Sequence, residues 1–261
     1  MAERLPLYRF RSLGAGGALV HAITTRLGGQ SSGHLATLNL GHTVGDAPEA
    51  VARNHALLYA ALGIAPEQVV TAHQVHGKRV ALATADDGGR VIPATDALIA
   101  ATPGLYLMLR YADCAPVLLY DPRRRAVGLA HAGRQGTLAQ VAARTAQAMI
   151  ERLGCRAQDL RAAIGPSIGP CCYEVGPESV AATEAAMPDA TRIIMRRQPN
   201  GHAHLDLWGA NALQLARLGV RQIEIARLCT ACRTDLFYSH RREGGRAGRF
   251  AAIIGLGPDG V

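Results

Sequence analysis

Apolar positions along the chain fall into two kinds of run. Three stretches carry them at helical spacing. Over Pro48–Leu62, Val51, Leu57, Leu58 and Leu62 mark one face, with Asp46 placed to cap, Pro48 in the first turn and Gly63 at the end. A second helix is expected over Thr137–Leu153, with Leu138, Val141, Ala142, Ala148 and Met149 facing inward and Gly154 as terminator. A third spans Asp206–Leu218 and closes on Gly219. Short apolar runs of strand length lie between them, at 68–72, 105–111, 116–120, 126–130, 161–164, 192–195, 222–225 and 250–254. Several are apolar without alternation, the pattern of strands covered on both faces. Strands and helices do not alternate regularly, which argues against an eight-fold barrel or a Rossmann sheet. The expectation is an α+β (mixed α/β) fold of layered sheets and outer helices, with no linker or repeat dividing residues 1–261.

Composition refines this picture. Of 261 residues, 49% are hydrophobic and only 18% charged, which excludes a disordered chain. Lys+Arg number 28 against 20 Asp+Glu, and because Lys78 is the one lysine, the net charge of +8 rests on arginine. A basic balance brings nucleic acid, anionic membrane and phosphorylated small molecules forward. Aromatic residues at 4% leave little material for base-stacking platforms, and Arg123–Arg125 is the longest basic run. A small anionic ligand is therefore expected, with neither nucleic acid nor membrane as partner. The first residues, Met1 to Pro6, lack a signal-peptide apolar core, and no apolar run approaches the roughly 18 residues that span a bilayer. The chain reads as cytoplasmic, and its oligomeric state is left open.

Three segments place histidine or cysteine where short strands end: Ala72–Gly77, Tyr111–Pro116 and Ala130–Gly136. His76, Cys114 and His131 form a plausible three-ligand zinc set that leaves a fourth position for water or substrate, and copper is the alternative metal. The same atoms suit a nucleophilic Cys-His pair, Cys114 with His76 or His131, with Asp113 orienting the base. Cys229 and Cys232 form an isolated Cys-x-x-Cys, and the adjacent Cys171 and Cys172 are not expected to serve one mononuclear site together; buried free thiols are the expectation for all four.

Through these segments and others, the sequence resembles the YfiH/laccase-domain family, also called the polyphenol oxidase or purine nucleoside phosphorylase family. The resemblance runs nearly end to end, through Thr24-Thr25-Arg26, Leu38-Asn39-Leu40-Gly41-His42, Gln74-Val75-His76-Gly77, Ala112-Asp113-Cys114-Ala115-Pro116, Ala130-His131-Ala132-Gly133, Gly165–Pro170, Tyr173–Gly176 and Phe237–Arg242. It implies a layered α/β/β/α fold and zinc ligands at His76, Cys114 and His131, with His73 outside the ligand set.

The resemblance also implies zinc-dependent phosphorolysis of adenosine, inosine and methylthioadenosine, with adenosine deamination as a second activity. Copper-dependent oxidation of phenols, and hydrolysis of peptidoglycan precursors by a Cys-His pair, are the alternatives. Candidate phosphate or nucleoside contacts are Asn39, His42, Arg134, His240 and Arg241, and Asp113 is placed to fix a ligand histidine. Asp96 reads as a turn aspartate that also falls on a family motif. Two places depart from the family pattern. The usual Gly-Trp-Arg-Gly reads Gly133-Arg134-Gln135-Gly136, and the usual helical Asn-Arg reads Asn54-His55 with Arg53 on the other side. Phosphate would then be held by Arg134 or Arg53 from shifted positions, or be bound less well.

Overall fold

The structure is a computed structural model that describes residues 5–14 and 19–257. Two six-stranded sheets face each other. One runs in the order Leu7–Tyr8, Leu19–Thr24, Phe250–Leu256, Tyr106–Tyr111, Val69–Ala72, Val91–Ile92. The other runs Gln222–Ile225, Arg161–Ile164, Ala115–Asp121, Ala126–Ala132, Ala97–Ala100, Val80–Leu82. A small three-stranded sheet combines Glu174–Val175, Ala203–Leu205 and Met195–Arg197.

Period-two alternation sorts the strand side chains between cores. In the first sheet, Leu107, Leu109, Tyr111, Phe250, Ala252 and Ile254 face the space between the sheets. Tyr106, Met108, Ala251 and Ile253 face outward onto Leu58 of the helix Pro48–Leu62. In the second sheet, Leu118, Val127 and Leu129 face the first sheet, while Val117, Leu119, Ala130 and Ala132 face the helices Val141–Leu153 and Leu207–Leu218. The order is helix, sheet, sheet, helices, so the expected α/β/β/α layering holds. It also explains the unbroken apolar runs: every residue of Ala115–Asp121, Ala126–Ala132 and Phe250–Leu256 is buried. Gly128 lets the helix approach, since a Cβ there would lie 2.9 Å from Met149 Sδ.

Local departures have tertiary causes. The helix expected from Thr137 breaks into Arg134–Leu138 and Val141–Leu153, with Gln140 left-handed at φ 62° between them. Gln214 and Asn211 hold the buried Thr137 through its carbonyl (2.8 Å) and hydroxyl (3.0 Å), fixing the break from another helix. Pro48–Leu62 has Ala47, not Asp46, at its N-cap. The Asp46 carboxylate is instead bonded by Ser31 Oγ at 2.6 Å and Asn39 Nδ2 at 2.8 Å. Leu57 is 37% exposed, and the inner face is completed by Asn54 and His55 instead. The 192–195 run forms the short helix Thr191–Ile194 before the strand begins at Met195. Asp206 does cap the helix Leu207–Leu218, its Oδ1 accepting from Gly209 N at 3.0 Å.

Candidate metal centre and pocket

The loop Ala112–Cys114 crosses from Tyr106–Tyr111 in one sheet to Ala115–Asp121 in the other. His131 stands near the end of the neighbouring strand Ala126–Ala132, and His76 follows Val69–Ala72. Their donor atoms all lie within 4.8 Å of one another, and the two imidazole centroids are 4.9 Å apart. Gly133 makes room for the thiol: a Cβ at that position would come within 2.6 Å of Cys114 Sγ.

Asp96 organises this group. Fully buried at the start of Ala97–Ala100, it accepts from three successive amides, Val75 N (3.1 Å), His76 N (2.9 Å) and Gly77 N (2.7 Å). These bonds hold His76 at φ 58°, a conformation unfavourable for a non-glycine residue. Asp96 Oδ1 also takes His131 Nδ1 at 2.9 Å, which leaves His131 Nε2 free for Cys114 or a metal. Burial would raise the Asp96 carboxyl, but the bonds from His131, Gly77 and Val75 outweigh it and hold it below its usual range. Burial also opposes charge on Cys114 and His131. Even so, the two imidazoles bring the Cys114 thiol down to about 6, and the thiolate with Asp96 lifts His131 to about 9. A thiolate is the form that ligates soft metals and the form that acts as nucleophile.

Asp113 does not fix a histidine. Its Oδ1 accepts from Thr230 Oγ1 and its Oδ2 from Arg241 N, both at 2.6 Å, and its φ is 81°. Those bonds set the turn that presents Cys114.

The donor set lies in a cavity of about 800 Å³, within the range of small-molecule sites. His42, His73, Asp113, Arg134, Gln135, His240 and Arg241 line it, and Ile168, Tyr173 and Leu207 give it an apolar wall. Asn39 is not among the lining residues. It is fully buried, and its Oδ1 accepts from Gly41 N (3.0 Å) and Arg249 N (2.9 Å), so it acts by placing two residues that do line the cavity. Arg53 is exposed on its helix and is not among the lining residues.

Arg110 and Arg249 were not singled out from the sequence, yet both face the cavity. Burial lowers the pKa of each guanidinium. Arg110 Nε is buried with no hydrogen-bond partner among the described residues. Arg110 also acts electrostatically on two histidines near the helix Pro48–Leu62. Burial first, then the Arg110 charge, lowers both His42 and His55, taking His55 to about 4. His55 is thus a neutral ring stacked on His42 at 4.9 Å, and the nearby cation comes from Tyr106–Tyr111. Arg110 was hidden inside an apolar strand run. Asp96 had only its motif position to mark it.

A protein of Deinococcus radiodurans named purine nucleoside phosphorylase is 42% identical, covering 98% of this chain and 94% of its own. One of the same name from Bacteroides thetaiotaomicron is 37% identical over 94% of each chain. The crystal structure of YlmD from Geobacillus stearothermophilus superposes with TM-score 0.89 at 36% identity, covering 92% of this chain and 93% of that one. Neisseria meningitidis protein NMB0706 gives TM-score 0.86 at 32% identity over 98% and 100%. Residues 20–257 match the family described as multi-copper polyphenol oxidoreductase laccase, the YfiH-type laccase-domain family, and the chain belongs to it.

Proposed function

We propose that the protein is a zinc-dependent purine nucleoside phosphorylase acting in the cytoplasm on adenosine, inosine and methylthioadenosine, with adenosine deamination as a second reaction. The observation that carries this reading is one cavity that combines a His-Cys-His donor set with an arginine, Arg110, whose buried Nε has no hydrogen-bond partner among the described residues. The relatives' shared name points the same way. The six cysteines, all free, fit a reducing compartment.

The donor chemistry fits zinc. Two imidazoles and a thiolate suit a borderline-soft ion, His131 has its second nitrogen fixed by Asp96, and Gly133 leaves the space that Cys114 needs. A bound zinc ion supplies Lewis acidity and a water of lowered pKa. The copper reading has less support. Histidine pairs of the His-x-His kind would be needed, and the pair present, His202 and His204, bonds to Glu174 (2.8 Å) and to the Pro170 carbonyl (2.6 Å) in the small sheet.

The remaining work falls to the chain's own side chains. Arg110, Arg134 and Arg249, with Arg241 at the mouth, hold the phosphate against the ribose. Ile168, Tyr173 and Leu207 take the purine and exclude water from its faces. A phosphate oxygen forms a bond to C1′ as the glycosidic C–N bond breaks, and the electron pair leaves with the purine nitrogen. His73 and His240, both facing the cavity, are placed to donate the proton that the departing base requires.

The test is chromatography of adenosine or inosine incubated with zinc-loaded protein, with and without phosphate. Free base that appears only with phosphate, and is lost in His76→Ala, supports the assignment. Stable substrate in both arms, together with rapid Cys114 alkylation in the zinc-loaded protein, would overturn it in favour of Cys-His catalysis.

A further inference from the structure

A second group of thiols lies apart from the pocket's donor set. Cys171 and Cys172 end one turn, and Cys229 and Cys232 bracket another about sixty residues later. Their Sγ atoms all lie within 4.8 Å of one another. Cys232 is 3.6 Å from Cys171 and 3.4 Å from Cys172. The adjacency of Cys171 and Cys172 does not keep them apart in space, contrary to the expectation from sequence. Nor are these four buried thiols: Cys171 and Cys232 are exposed, Cys172 is partly so, and Cys229 alone is buried.

We propose that Cys171, Cys172, Cys229 and Cys232 form a second metal site, a tetrathiolate for one zinc ion, which locks together the two loops that hold Asp113.

The spacing favours a single ion. A tetrahedral site with Zn–S bonds of about 2.3 Å separates its sulfurs by about 3.8 Å. The Cys232–Cys171 and Cys232–Cys172 separations, 3.6 and 3.4 Å, are already close to that edge. A polynuclear iron–sulfur cluster spreads its cysteines across several metal atoms, beyond the 4.8 Å that bounds this group. Four thiolates are the donor set of closed, structural zinc sites, and Cys229-Thr230-Ala231-Cys232 has the two-residue spacing of such sites. The backbone between Cys229 and Cys232 is a tight turn that brings the two cysteines together. Cys232 N and Arg233 N both donate to the Cys229 carbonyl (3.2 and 3.0 Å), and Gly169 N donates to Cys229 Sγ at 3.2 Å, a bond that stabilises thiolate charge. The exposed Cys171 and Cys232 give the ion a way in.

The site's placement gives it a task. Ser167 N donates to Leu228 O (3.2 Å) and Thr230 N to Ser167 O (3.1 Å), so the two cysteine-bearing loops are already paired beside the cluster. From those loops, Ile168 N reaches the Asp113 carbonyl at 2.9 Å and Thr230 Oγ1 its carboxylate at 2.6 Å. An ion on the four sulfurs closes the far end of this pairing and keeps both grips on Asp113 in register. This inference stands on the sulfur geometry and does not depend on the reaction assigned to the pocket.

Elemental analysis and cobalt substitution of the intact protein test it. The wild-type protein is expected to carry two zinc ions per chain, and Cys171→Ser/Cys172→Ser one. The double variant His76→Ala/His131→Ala, which leaves the four cysteines alone, is expected to keep one ion. Loaded with cobalt, it should show the strong sulfur-to-cobalt charge transfer and visible bands of a tetrahedral tetrathiolate. Should the cysteine variant fail to fold, alkylation of the wild-type protein gives the answer instead: four thiols protected until a chelator is added support the site. Disulfides among the four by mass spectrometry would overturn the proposal. A histidine variant without metal or tetrathiolate bands would do the same.

Discussion

Replacing Asp96 by asparagine keeps the shape of the side chain and removes the one property the site needs from it. The Asp96 carboxylate accepts four hydrogen bonds: His76 N and His131 Nδ1 on one oxygen, Val75 N and Gly77 N on the other. An amide has one acceptor end. Turned toward Val75 and Gly77, it points its NH₂ at the His76 amide and at His131 Nδ1. The imidazole must then carry its proton on Nε2, where a metal ligand needs a lone pair. Turned the other way, it leaves the Val75 and Gly77 amides facing donors. Either arrangement loses two bonds to a charged acceptor, each worth about 1.5–3 kcal/mol, so folding stability should fall by about 3–6 kcal/mol. Loss of such a partner behind a ligand histidine lowers metal affinity about 10- to 100-fold. Urea unfolding measures the first effect, and zinc competition with a chromophoric chelator the second. An Asp96→Asn protein that matches wild type in both would refute this account of how the site is built. The pH dependence carries a sign as well. The folded carboxyl sits below its ordinary value of 3.8, so its contribution is present above that pH and is lost as pH falls through the folded value. The stability gap between wild type and variant should therefore narrow in acid.

Other perturbations separate binding from folding. Arg110→Met removes a cation whose buried Nε has no hydrogen-bond partner among the described residues. Phosphate KM should rise about 10- to 150-fold, the worth of one charge-assisted bond, while the melting temperature holds or rises. Gly133→Ala directs a methyl group to within 2.6 Å of Cys114 Sγ, so zinc binding by equilibrium dialysis should weaken while far-UV circular dichroism stays native. Chelator-stripped protein should alkylate at Cys114 with a pH midpoint near 6, and added zinc should suppress the reaction; a midpoint near 9 would contradict the paired thiolate. Asn54→Ala strands the Gln30 amide, bonded at 2.7 Å, and the Asn39 carbonyl, bonded at 2.8 Å. It should cost about 2–6 kcal/mol by chemical denaturation.

What the sequence made legible follows from how local each signal is. Gly63, Gly154 and Gly219 end helices through their own left-handed backbone, so three helix ends could be read directly. Unbroken apolar runs revealed the strands buried on both faces, and hence the double-sheet core. The break at Gln140 depends on Gln214 and Asn211 gripping Thr137 more than seventy residues away, which no local pattern records. Asp46 looked like a cap because it precedes a helix, but Ser31 and Asn39 claim its carboxylate.

The candidate site divides in the same way. His76, Cys114 and His131 stood out because each lies in a short motif of its own. Asp96 and Arg110 act through contacts that fold-level packing creates, inside segments that read as turn and strand. The arginines that opened the question of an anionic partner now have places. Arg110, Arg134, Arg241 and Arg249 face the cavity, whereas Arg53 stands on the exposed side of its helix.

The proposed phosphorolysis joins phosphate to a nucleoside's ribose in this cavity. Phosphorus NMR of zinc-loaded protein with inosine and inorganic phosphate tests it most directly. A growing ribose 1-phosphate resonance matched by free hypoxanthine is expected, growing about 10- to 150-fold more slowly in Arg110→Met at low phosphate. Hypoxanthine released with no phosphate ester, or an unchanged phosphate signal from fully zinc-loaded protein, would contradict it.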